Sequence, residues 1–213
     1  MKQNILVIVH DIFNLLCLSI ILYRLYQFIS FNYLLDYSKP FIITQNNLNF
    51  EYLFYTFLSY IIVDSIWIIT LPKSILSNHI ALIIHHMGVI VILYIPWKYR
   101  KYSCYMGLLI LSELNTFFLI LKRFVTKNSL FYKLLNGLFI GSWIMIRLIM
   151  YPSLCLLFIK EYIDFSNLEE KGNYYNIAIV GPIMQFLLTI LSVKWTYDII
   201  YNKKITNNIQ KNN

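Results

Sequence analysis

The stretch HIALIIHHMGVIVILYI, residues 79–95, decides how this chain is read. It is apolar almost throughout and carries two adjacent histidines, His85 and His86, near its middle. A helix needs about 17–25 residues to cross about 30 Å of hydrocarbon, so the stretch is a membrane span at the short limit. An ionisable group at that depth is expensive and marks a functional site by default. Five more apolar runs accompany it: Ile5–Tyr23, Tyr52–Leu71, Tyr102–Leu121, Leu134–Ile159 and Ile177–Ile200. Together they predict an all-α membrane protein with about six transmembrane helices. Period-2 alternation is absent, which argues against a β-barrel.

Composition agrees. Apolar residues make up 59% of the 213 residues and charged residues 13%, against about 45–50% and about 25% in soluble domains. The first run has a basic start, Met1-Lys2, but no small-x-small cleavage site, and reads as a retained span. Both termini then face one side, with Lys2, Lys73, Lys122, Arg123, Lys127, Lys133, Lys203, Lys204 and Lys211. The other side has Arg24, Lys39, Lys98, Arg100, Lys101, Lys160 and Lys171, and the acidic Glu161, Asp164, Glu169 and Glu170. Nine basic residues against seven lean the termini to the cytosol. The net charge of +8 is thus spread over both faces. It suits a membrane surface and forms no groove for nucleic acid. Cys17, Cys104 and Cys155 have neither disulfide nor metal spacing and read as small packing residues; no metal is expected.

The remaining polar residues lie inside apolar runs. Asp64, Glu113 and Arg147 fall near the centres of three of them. Desolvating such groups separately is unfavourable, so His85, Glu113 and Arg147 are expected to converge on a shared cavity. His85 and His86 point about 100° apart on a helix and can both border such a cavity. A neutral imidazole there is a competent base; two histidines packed against neighbouring helices are the alternative. Glu113 pairs with a donor or is protonated, and Thr116 shares its stripe. Arg147 stays charged and needs an acidic partner, a headgroup or carbonyls. Gln185, Thr189, Ser192 and Thr196 make a helical stripe that either lines the cavity or bonds helices together. His10 and Asp11, a few residues inside the first run, read as interfacial. Trp195, near a span end, reads as part of an aromatic belt. Pro152 is expected to bend the fifth span. Gly181-Pro182 is a candidate break in the sixth.

A family resemblance follows from the order of these features. Asp64 comes late in the run ending Ser59-Tyr60-Ile61-Ile62-Val63-Asp64, and His85-His86 follow. Ser112-Glu113-Leu114-Asn115-Thr116-Phe117-Phe118-Leu119 begins 26 residues after His86, and Arg147 with Pro152 comes next. This order resembles the TLC domain, shared by ceramide synthases, translocating-chain-associated membrane proteins and several small TLC-domain-containing proteins. The resemblance runs from Phe41 to Tyr201 and divides the chain into a first helix and loop (1–40), a TLC core (41–201) and a polar tail (202–213). It implies a bundle around a lipid cavity, in the endoplasmic reticulum or another endomembrane, with membrane lipids such as sphingolipid or fatty-acyl species as partners. In ceramide synthases paired histidines and a pair of aspartates transfer an acyl group from acyl-CoA to an amine. His85 and His86 match that motif, but Glu113, Asn115 and Thr116 stand where the aspartates are expected. Lipid binding or homeostasis without a cofactor is the leading expectation. The alternative is acyl transfer by His85, His86 and Glu113 with acyl-CoA as co-substrate, and a transporter comes third.

Overall fold

The computed structural model describes residues 5–28, 48–75, 78–100, 103–166 and 179–211. Tyr102 and Ile177, expected to open two spans, lie outside them, as do Lys2, Lys39, Lys101, Glu169, Glu170 and Lys171. So do the side chains of Cys104, Glu161, Asp164, Lys203, Lys204 and Lys211. The long helices are α1 (Ile5–Phe28), α2 (Leu48–Thr70) and α3 (His79–Lys98). Shorter α4 (Ser103–Ile110), α5 (Glu113–Leu121) and α6 (Leu130–Ser142) follow, then α7 (Tyr151–Ser166) and α8 (Val180–Lys211). Six stretches are long and apolar enough to cross a membrane: Ile5–Phe28, Asn49–Thr70, His79–Lys98, Tyr105–Phe124, Leu130–Lys160 and Val180–Tyr201. The all-α, six-span reading therefore stands, and α8 continues through the polar stretch to Lys211. The chain forms two compact units, Met1–Trp143 and Ile144–Asn213.

In the first unit, α1 sets the pattern. Its buried residues Val7, Asp11, Asn14, Leu18, Ile21, Leu25 and Phe28 alternate spacings of four and three, and His10 lies beside them. That period keeps one stripe turned to the bundle. Ile5, Val9, Ile12, Leu16, Ile20 and Tyr23 are exposed on the remaining faces, an apolar surface that suits lipid. The apolar half of the stripe meets Phe50, Leu53, Phe54, Phe57 and Ile61 of α2, Leu93 of α3, and Met106, Ile110 and Ile120 of the fourth span. Gly107 allows the close approach. A Cβ built there would stand 3.0 Å from the Phe28 ring and 3.6 Å from Leu25.

Helix starts follow local chemistry. Asn78 caps α3 by accepting from the N–H groups of Ile80 and Ala81, and Ser129 caps α6 by accepting from Tyr132. Hydroxyls within the spans fold back on the carbonyl four residues earlier, as Ser19, Thr56, Ser65 and Ser153 do. In hydrocarbon that is the nearest acceptor.

Two spans are irregular. The fourth is interrupted at Leu111-Ser112, where the N–H groups of Ser112, Leu114 and Asn115 each bond three residues back. Glu113 opens the helix after this tightened turn, where a carboxylate suits the helix dipole. The fifth passes through a π-helical stretch, Trp143–Met150, before Pro152. The proline lacks the N–H that would reach the Leu148 carbonyl, and its ring clashes with that carbonyl. A widened turn relieves this clash. The span is thus not a regular α-helix on the approach to Pro152, where a bend is expected: it changes helical register there.

In the second unit, α7 packs on α8 around Tyr151, Leu154, Phe158 and Leu188, all buried. Gly181-Pro182 falls in the first turn of α8. There a missing proline N–H goes unused in any case. The pair therefore lies at the start of the described helix, which runs unbroken from Val180 to Lys211.

Candidate functional site

His10, Asp64, Ser65 and His86 gather near one end of α1, α2 and α3. Asp64 lies six residues before the end of α2, and His85 six residues after the start of α3. At about 1.5 Å per residue that is about 9 Å from the helix ends. Asp64, His85 and His86 thus lie about two turns inside their helices. Hydropathy marks a run but not the register at which neighbouring helices meet. Glu113 lies eight residues into the span Tyr105–Phe124.

Asp64 is the hub. Its Oδ1 accepts from Nε2 of His10 at 2.8 Å, and its Oδ2 faces Nε2 of His86 at 3.6 Å. All three side chains are buried. The other ring nitrogen of His86, Nδ1, lies 3.1 Å from the Ser65 hydroxyl. That hydroxyl also lies 2.7 Å from the Ile61 carbonyl. It has one hydrogen for two acceptors, so the state of the His86 ring decides where the hydrogen goes. With Nε2–H turned to Asp64, Nδ1 is the basic nitrogen and accepts from Ser65. Carboxylate, imidazole and hydroxyl then follow in the order that lets an imidazole act as a base.

The other predicted residues fall around this hub or away from it. His85 is buried, with its ring 5.8 Å from that of His86. Glu113 is buried at the start of α5. Asn115 donates to the Ser142 hydroxyl on α6 at 2.7 Å and so ties two spans together. Thr116 is half-buried beside it on α5. Arg147 belongs to the second unit, where its guanidinium lies 5.2 Å from the Tyr151 ring and 5.4 Å from the Trp195 ring. Trp195, read as a belt residue, thus also has a cation–π role. Gln185 donates to the Tyr151 carbonyl and joins α8 to α7. The hydroxyls of Thr189, Ser192 and Thr196 each bond a carbonyl of their own helix.

Sequence reasoning missed His10, Asp11 and Asn14, which it either read as interfacial or passed over. All three are buried. Asp11 accepts from Arg123 at 2.8 Å, which ties the start of α1 to the end of the fourth span. Asn14 Nδ2 lies 3.4 Å from Nδ1 of His10, the ring nitrogen that can accept from it, and Trp67 packs on His10 and on Phe13. The signal was available, because His10, Asp11 and Asn14 share the stripe of Leu18, Ile21 and Leu25. Asn14 Oδ1 and Trp67 Nε1 are buried with no hydrogen-bond partner among the described residues. No group of three or more His, Cys, Asp or Glu able to hold a metal ion is found among those residues.

The family model described as TLC domain matches residues 5–201, a range that takes in the first span and His10. No curated protein and no solved structure matches the chain.

Proposed function

Because the chain belongs to the TLC-domain family, we propose that this multi-pass membrane protein binds and organises membrane lipids through the polar network around Asp64. The observation that carries this reading is the carboxylate set between two imidazoles inside an apolar bundle. Such a group is weak evidence for a role in stability, since replacing buried ionic groups by packed apolar residues is often neutral or stabilising. The buried, unpartnered atoms of Asn14 and Trp67 beside His10 support the same reading, since they offer one acceptor and one donor to a ligand. The partners are membrane lipids, sphingolipid or fatty-acyl species among them, in the endoplasmic reticulum or another endomembrane.

One observation favours a second reading, acyl transfer with acyl-CoA as co-substrate. The sequence comparison with ceramide synthases leaves one acidic role empty, and Asp64 stands 3.6 Å from His86 where it can fill it. His86 would then take the proton from an attacking amine or hydroxyl, with Glu113 the second acid and His85 beside it.

Lipid profiles of cells carrying the chain or its His85→Ala/His86→Ala variant test the proposal. A changed profile with normal insertion of the variant is expected. An unchanged profile would remove the site. Acyl-CoA turnover by the purified, unaltered protein separates the readings: turnover lost in the variant supports transfer, and its absence throughout supports binding.

A further inference from the structure

We propose that His10, on the first span, is a positioning residue that acts through Asp64 to set the orientation and tautomer of His86. The inference rests on the reading that the Asp64 network is the functional site. It adds a residue from a helix outside the region where the sequence resemblance was drawn.

The geometry carries the argument. A carboxylate on a flexible stem can present either oxygen to a neighbour. Here His10 occupies Oδ1 at 2.8 Å, the shorter of the two contacts. That bond leaves Oδ2 turned to His86 Nε2 at 3.6 Å. A carboxylate oxygen held there favours the His86 tautomer with the hydrogen on Nε2, because a bare nitrogen would set two lone pairs against each other. Nδ1 is then the basic nitrogen, facing Ser65 at 3.1 Å. The partner of one ring nitrogen decides what the other can do. His10 is itself fixed, by Asn14 Nδ2 at 3.4 Å from its Nδ1 and by the Trp67 ring at 5.5 Å. Asp11, next in the chain, is held by Arg123. The start of α1 is thus anchored on both sides, which rigid positioning requires.

Full-length protein labelled with 15N-histidine, in lipid nanodiscs, tests this. The chain has four histidines, so the ring signals are few enough to assign. The unaltered protein is expected to show His86 with its hydrogen on Nε2. His10→Ala is expected to shift His86 toward the other tautomer and to weaken the cellular lipid effect by about tenfold or more, the size typical of partners that orient a functional imidazole. His10→Gln places an N–H donor at similar reach and is expected to restore both. An unchanged His86 tautomer in His10→Ala overturns the inference. So does a changed tautomer that His10→Gln fails to restore, since that marks a packing role. If His10→Ala does not accumulate, His10→Leu, which fills the space without a donor, takes its place: a shifted His86 signal there beside an unaltered one in His10→Gln supports the role, and an unaltered signal in both defeats it. Failure of the site itself reads differently, as a lipid profile that His86→Ala leaves untouched.

Discussion

The two halves of α1 share one stripe and do different work. From Leu18 to Phe28 it buries Leu18, Ile21, Leu25 and Phe28 against α2 and the fourth span. From Val7 to Asn14 the same stripe buries His10, Asp11 and Asn14. Helix α2 repeats the contrast in reverse order, with Phe50, Leu53, Phe54 and Phe57 first and Asp64 and Ser65 later. The spacing is constant while the chemistry changes. The apolar end therefore holds the helices together, and the polar end is held in place by it.

The largest effect is expected at the apolar end. Phe57→Ala should cost about 3–5 kcal/mol, seen as a fall in the unfolding temperature in detergent, with lipid effects lost only in proportion to folded protein. A Phe57→Ala variant as stable as the unaltered protein would break the comparison. Gly107→Ala comes next. Its Cβ meets the Phe28 ring at 3.0 Å, and overpacking of this kind costs about 1–3 kcal/mol. At the polar end, Asp64→Asn keeps the shape but removes the charge between His10 and His86. It should abolish the lipid effect in cells while moving stability by about 1 kcal/mol or less. The smallest effect is expected at Thr189, whose hydroxyl serves its own helix. Thr189→Val should change stability by about 0.5 kcal/mol at most and leave lipid profiles alone. A lipid effect at Thr189 would show that polar stripes in the second unit also make a site.

Much of this was legible in the sequence. Six spans follow from the length and composition of apolar runs, which the bilayer dictates directly. Asp64, His85, His86 and Glu113 stood out because each interrupts such a run. The partners of Asp64 were harder to see. His10 and Asp11 lie close to the start of their run, and depth counted from a span end says little about which face is buried. The stripe they share with Leu18 and Ile21 does say it. The break at Leu111-Ser112 carries no glycine or proline and left no local signal. The π-helical stretch announced itself only through Pro152, which predicts an interruption but not its form. The role of Asn115 toward Ser142 depends on which helices are neighbours, and spacing within one helix cannot show that.

The division of labour is tested most directly by melting the protein in nanodiscs at increasing content of the lipid that responds to the chain in cells. A lipid bound only by the folded state raises the melting temperature with its concentration. Leu53→Ala, in the apolar core, should lower the baseline by an amount matching about 2–5 kcal/mol and keep the lipid-dependent rise. His86→Ala should keep the baseline and lose the rise. The reverse pattern, with His86→Ala melting early yet still responding to lipid, would contradict the account.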